Sequence, residues 1–250
     1  MEFKELGLSD ATIQAIEELN MAHPTTVQGD VIPSILEGKD IFTIAPQRSG
    51  KTYSYVLPLI DIIATQKNQN ILIITPDSFQ ANNVSDSFAL FNKYHQNSEE
   101  DESSVVIATP DLILELADED KIDLSNINIL VVDDINLIKK RRQLANLEKI
   151  LEKLPADKQN IVFTNRRSKE TQSILDKILK TPTEIKVDKN KEDEAVVAAE
   201  NHEGEKSNVV AQTNKYEPPL DEKAVALMEK NHVFNDKTPK YLLIEGMLKN

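Results

Sequence analysis

Ser49-Gly50-Lys51-Thr52 stands between an apolar run ending at Ile44 and a helix-like run that begins at Tyr53. A phosphate needs a ring of backbone N–H groups and one point charge. A glycine-bearing turn that opens a helix supplies the first, and a lysine supplies the second. Within this loop Gly50 permits close backbone approach, Lys51 reaches the terminal phosphates, and Thr52 is placed to ligate magnesium. Further along, Ile129-Leu130-Val131-Val132 runs into Asp133-Asp134. An apolar strand delivering two carboxylates is what a magnesium–nucleotide site needs opposite such a loop. Asp133 would hold the metal, directly or through water, and Asp134 would sit where a water-activating carboxylate is needed. A chance strand-to-helix turn is the alternative for the loop taken alone, and the paired carboxylates weigh against it.

Both motifs must be carried by elements that the pattern also predicts. Apolar, β-rich runs recur at 40–44, 71–75, 105–108, 127–132, 161–164 and 185–187. They are continuous rather than alternating, which predicts strands buried on both faces. Helical patterns lie between them, at 51–65, 77–94, 111–117, 141–154 and 168–179, and Ser9 is set to cap a helix whose apolar face is Ile13, Ile16 and Leu19. Strand–helix repetition argues an α/β fold, a mostly parallel sheet with helices on both faces.

The 250 residues suit one large α/β domain, or one domain with an appendage. The first domain is expected over 1–188. Residues 189–219 are charged and turn-prone and read as an acidic flexible linker; 220–250 read as a helical tail or the truncated start of a second domain. There is no cysteine, which excludes disulfides and thiolate zinc sites. The N-terminus is not a signal peptide and no run reaches membrane-spanning length, so the expectation is a cytoplasmic protein without a membrane partner. Net charge is −13, from 29 basic and 42 acidic residues. Such a chain repels polyanions as a whole. Lys139-Lys140-Arg141-Arg142 and Arg166-Arg167 are candidate basic patches, with a solvated helix end and a turn as the stronger readings.

From Phe3 to about residue 188 the chain resembles the first RecA-like domain of DEAD-box RNA helicases. Phe3-Lys4-Glu5-Leu6-Gly7-Leu8-Ser9 is similar to the family's opening and Pro24-Thr25-Thr26-Val27-Gln28 to its Q motif. Ala45-Pro46-Gln47-Arg48-Ser49-Gly50-Lys51-Thr52 resembles motif I, Thr109-Pro110 the start of motif Ib, Val132-Asp133-Asp134-Ile135-Asn136 motif II, and Phe163-Thr164-Asn165 stands in the place of motif III. The resemblance implies a RecA-like P-loop domain that takes ATP or ADP with Mg2+. It implies that Gln28, with Thr25, reads the adenine edge, supported by Phe3. It also implies that Arg48 and Ser49 join Gly50, Lys51 and Thr52 in the nucleotide site, and that Thr109 marks a weak RNA contact.

The departures bear on catalysis. Arg48 stands where the family has glycine; it either crowds the phosphates, at a cost of about 1 kcal/mol or more if its φ is positive, or folds over them and adds charge. Pro46 removes a donor from the loop. Motif II reads Asp-Asp-Ile-Asn, so the water-orienting carboxylate of Asp134 is one methylene short, and Asn136 replaces the aspartate that pairs with motif III. With motif III reading Thr164-Asn165-Arg166, this departure bears on the link between hydrolysis and domain motion. Motif Ia lacks its arginine at Pro76-Asp77-Ser78-Phe79, the double-glycine motif is absent, and Thr109-Pro110 is followed by Asp111. Met21 replaces an aromatic under the adenine. No His-Arg-x-Gly-Arg run occurs in these residues. The expectation is a degenerate DEAD-box-like pseudoenzyme that binds adenine nucleotide weakly. Its ATPase and RNA grip would be impaired, and it would act through protein contacts on its acidic surface. The alternative is an active ATP-dependent RNA helicase or RNA-stimulated ATP hydrolase that binds single-stranded RNA. A third reading, an interaction module with an empty pocket, would have Arg48 block phosphate.

Overall fold

Successive side chains along each central strand turn to opposite buried faces, which explains the layering. In the computed structural model, which describes residues 1–95, 103–187 and 242–244, the strands are β1 (Ile41–Ile44), β2 (Asn70–Ile74), β3 (Ser104–Ala108), β4 (Ile129–Val132), β5 (Gln159–Thr164), β6 (Thr183–Lys186) and β7 (Leu242–Ile244). They pair in parallel throughout, in the order β6-β1-β5-β4-β2-β3-β7. Ile41, Ile71, Ile73, Val105, Ile107, Ile129, Val131, Ile161 and Phe163 face one core layer. Phe42, Ile44, Leu72, Ile74, Val106, Leu130, Val132 and Val162 face the other. With both faces covered, strands β1 to β5 are buried almost throughout, which is why their runs read as continuously apolar, while edge strand β6 exposes Thr183, Glu184 and Lys186.

Helices α1 (Asp10–Glu18), α2 (Thr26–Leu36), α3 (Lys51–Thr65) and α4 (Ser78–Phe91) cover the first face; α5 (Pro110–Asp118), α6 (Ile135–Lys140), α7 (Leu144–Lys153) and α8 (Lys169–Ile178) cover the second. Ser9 caps α1 as expected, accepting from Thr12 N. Helix α2 was not anticipated. Its signal is the Thr25-x-x-Gln28 spacing, a reciprocal capping box in which each side chain accepts from the other residue's backbone N–H. The helix expected over 141–154 is present as α7, which begins three residues later, and α6 before it was not anticipated. Arg142 takes φ 63°, and the bonds Arg142 N to Lys139 O and Gln143 N to Ile138 O close α6 with a Schellman-type end before α7 begins.

Asp61, buried in α3, pins α1 in place. It accepts from Ser9 N (2.6 Å), Ser9 Oγ (2.7 Å) and Thr12 Oγ1 (2.5 Å), and His95 Nε2 lies 2.8 Å from the same Thr12 hydroxyl. The expected linker and most of the expected tail lie outside the described residues, as does the acidic stretch 97–102. Within 241–248, read as helical, the three described residues form strand β7 beside β3. Leu-Leu-Ile satisfies a strand on the sheet edge as well as it satisfies a helix, and three apolar residues in a row carry no period to separate the two.

Candidate functional site

The sheet delivers its chemistry at the C-terminal ends of the strands. Strand β5 lies between β1 and β4. The loop after β1 and the carboxylates after β4 are therefore two strand spacings apart, about 10 Å, with the end of β5 between them. A cleft of about 990 Å³ opens there, lined by Arg48, Gly50, Lys51, Thr52, Asp133 and Asp134 and, from α4, by residues including Asp77, Phe79, Gln80 and Asp86.

The loop is held by its own side chains and by α2. Ser49 Oγ donates to Pro46 O at 2.9 Å, and Lys51 Nζ donates to Ala45 O at 3.2 Å and also to Pro46 O. The lysine ammonium thus rests on loop carbonyls, inside the ring of groups that a phosphate would face. Thr25 Oγ1 donates to Ser49 O (2.9 Å) and Gln28 Nε2 to Gly50 O (3.4 Å), while Gln28 Oε1 accepts from Thr25 N (2.9 Å). Gly50 has φ 82°, and a Cβ there would stand 2.7 Å from Gln28 Nε2 and 2.8 Å from Thr25 Oγ1. The glycine is demanded twice, by its backbone angle and by the approach of α2. Gln28 is 2 % exposed, and Phe3 is buried in the core beside α2. Met21 packs half-buried against that same core. Arg48 is exposed on the cleft rim with φ 65°, the strained case foreseen from its side chain.

Opposite the loop, Asp133 is buried; its Oδ2 accepts from Tyr55 Oη (3.1 Å) and from Gln80 Nε2 (2.8 Å). Burial pushes its carboxyl above the usual range, against the pull of those two donors and of Lys51. The same burial, with Asp133 nearby, drives the Tyr55 phenol far upward. Asp134 takes φ 58° and caps its own helix, Oδ1 accepting from Leu137 N at 3.2 Å. Burial raises its carboxyl too, opposed by that N–H and by Lys51.

Among the described residues no group of three or more His, Cys, Asp or Glu side chains is disposed to hold a metal. Thr52 and Asp133 supply one hydroxyl and one carboxylate. That oxygen-only pair fits Mg2+, which keeps several waters and takes the remainder of its shell from substrate phosphates. Tyr55 and Gln80 were not singled out from sequence. Tyr55 lies in a helix interior where an aromatic reads as core, and nothing in the spacing of α4 marks Gln80.

Asn136 makes the contact with the run in the place of motif III. Asn136 Nδ2 donates to Thr164 Oγ1 (2.7 Å), Asn165 Oδ1 (3.2 Å) and Arg166 O (2.7 Å). Asn136 thus reaches motif III with its amide as the donor to three acceptors.

Asp77 and Asp111, the acidic residues in the places of motifs Ia and Ib, are engaged by the chain's own groups. Asp77 caps α4 through Gln80 N (3.0 Å) and pairs with Arg141 at 2.6 Å. Asp111 sits in the first turn of α5; burial raises its carboxyl, but hydrogen bonds from Thr109, from backbone N–H groups and from Gln143 bring it below its ordinary value. Lys139 is paired with Glu170 and Arg167 with Glu184. The basic runs are thus a helix end and a turn, with these three cations neutralised in place. No helix among the described residues is long and apolar enough to cross a membrane.

Comparison with known proteins bears on the same residues. A family profile described as DEAD/DEAH box helicase matches residues 25–174. The chain is 26 % identical over 208 residues to the ATP-dependent RNA helicase DeaD of Haemophilus influenzae, covering 76 % of this chain and 34 % of that protein. It is 26 % identical over 201 residues to the RNA helicase CrhR of Synechocystis, covering 74 % and 41 %. The chain therefore spans between a third and a half of the length of these relatives. Among solved structures, a DEAD box protein from the hyperthermophile Methanococcus jannaschii superposes with TM-score 0.70 at 25 % identity, covering 76 % of this chain and 57 % of that one. A hypothetical ATP-dependent RNA helicase from Sulfolobus tokodaii gives 0.64 at 22 %, covering 72 % and 57 %, a likeness of fold. The RecA-like α/β architecture is shared with these structures.

Proposed function

The chain belongs to the DEAD/DEAH box helicase family, and from that premise we propose that its described domain binds an adenine nucleotide with Mg2+ but hydrolyses it poorly and grips RNA weakly. Lys51 and the backbone N–H groups at the start of α3 would take the phosphates. Thr52 and Asp133 would share the metal, whose contribution when bound is to neutralise phosphate charge. Thr25 and Gln28 hold the loop to α2, so adenine recognition by Gln28 would exchange its bond to Gly50 O for one to the base.

The observation that carries the reading is Asp134. Its carboxylate is committed to Leu137 N–H of its own helix, from a left-handed backbone position. A water-orienting base must lie within hydrogen-bond reach of the attacking water. An aspartate already one methylene short and turned to its helix is poorly placed for that work, and a misplacement near 1 Å costs about a hundredfold in rate. The carboxylates at Asp77 and Asp111 support the weak RNA grip, since each opposes a phosphate at the edge of the sheet. An acidic surface of net charge −13 suits a basic protein partner in the cytoplasm. Thermal unfolding tests nucleotide binding: magnesium-ATP should raise the melting temperature, and Lys51→Ala should abolish the rise. A rise that persists in Lys51→Ala would overturn the assignment.

A second reading, an RNA-stimulated ATPase, is favoured by the intact Asn136–Thr164 bond, because a preserved junction of motifs II and III is what would carry hydrolysis into motion. Stimulation of ATP turnover by single-stranded RNA would establish it.

A further inference from the structure

Gln80 enters the site from α4, a helix that carries none of the loop or carboxylate residues. Its Nε2 lies 2.8 Å from Asp133 Oδ2 and 3.4 Å from Thr52 Oγ1. One amide nitrogen thus bridges the two side chains suited to the metal. Tyr55 Oη donates to the same carboxylate oxygen, and Asp133 is 4 % exposed, so bulk water scarcely competes for it. A nitrogen offering one proton to a carboxylate and another to a hydroxyl does what a water of a hydrated magnesium ion does between the same two groups. The amide and the hydrated cation cannot both hold that position.

We propose that Gln80 is an internal competitor for magnesium. Its amide occupies the place between Thr52 and Asp133 and must withdraw when the metal arrives with the nucleotide. The withdrawing side chain belongs to α4, whose first residue follows Asp77, the partner of Arg141 at the start of the α6–α7 turn. Metal occupancy is thereby felt by the helix that the Asp77–Arg141 pair ties to the end of α6. The inference rests on the nucleotide reading above and adds to it a positioning residue that sets how much magnesium the site needs.

Calorimetric titration of the full chain with ADP, once in EDTA and once across a magnesium series, separates the two claims. Gln80→Leu removes the amide and keeps an apolar side chain of similar reach. The ratio of ADP affinity with magnesium to that without it should rise, and the magnesium concentration giving half the effect should fall about tenfold, the worth of a hydrogen bond to a charged group no longer displaced. Gln80→Met, which also lacks the amide and is more flexible, should move the half-effect concentration the same way and serves if the leucine variant does not fold. An unchanged or higher magnesium requirement in both would overturn the proposal, because Gln80 would then be holding Asp133 ready for the metal. Absence of ADP binding by wild type and variants in both arms would instead overturn the nucleotide reading on which the proposal stands.

Discussion

Asn136 and Thr164 are joined by a 2.7 Å hydrogen bond in which the amide donates and the hydroxyl accepts. The hydroxyl in turn donates to Arg166 O at 2.8 Å, so its proton is already committed. The direction of the first bond is therefore fixed by the second. Replacing Asn136 with the aspartate expected at this position would set a carboxylate against Asn165 Oδ1 and Arg166 O, neither of which can donate to it in this arrangement. Asn136→Asp should lower stability by about 1–3 kcal/mol, and Asn136→Ala by about 1–2 kcal/mol. Urea unfolding measures both, and equal stability of the aspartate variant would contradict the direction assigned to the bond.

Arg48 holds φ 65° at the rim of the cleft. A glycine there removes the steric cost of the left-handed region, so Arg48→Gly should raise the apo domain's stability by about 1 kcal/mol. Nucleotide affinity should rise with it if the side chain crowds the phosphates. A fall in affinity with the same gain in stability would identify Arg48 as a phosphate ligand.

Asp133 and Asp134 both have carboxyls raised by burial. A group whose folded pKa exceeds its unfolded value binds protons more tightly when folded, so its contribution to stability falls as pH rises through that interval. Asp133→Asn removes the charge and leaves an amide to meet Tyr55 and Gln80. The apo domain should melt at a higher temperature at neutral pH, and magnesium should no longer tighten ADP binding. Calorimetry of both proteins in EDTA and in magnesium checks the two outcomes together.

His95 is lowered by burial against a smaller upward pull from Asp61. The unfolded imidazole, near 6.5, takes a proton before the folded one does, so stability falls as pH drops below about 6.5 towards the lowered folded value. The loss should appear as early hydrogen exchange in α1, which Ser9, Thr12 and His95 tie to Asp61. His95→Gln should flatten that part of the pH profile. An unchanged profile in the glutamine variant would place the acid sensitivity elsewhere.

Much of this architecture is legible in the residues. The β runs announce a doubly covered parallel sheet because burial on both faces removes alternation, and Lys51 at the start of α3 follows from its glycine. What escaped reading depends on tertiary approach. Helix α2 is signalled only by a capping box whose two partners also bind the loop. Arg142 ends α6 without a glycine, so the break near 141 carries no composition cue. Gln80 meets Asp133 because α3 and α4 pack side by side, and a single polar residue on an otherwise ordinary helix face gives no warning of such a meeting.

The most direct test is calorimetry of the full chain titrated with magnesium-ATP, with and without single-stranded RNA, because one experiment records binding heat and any sustained heat of turnover. The account predicts a saturable binding heat that Lys51→Ala removes, and at most a slow heat of hydrolysis that RNA does not raise. A steady turnover signal that grows with RNA concentration would contradict it.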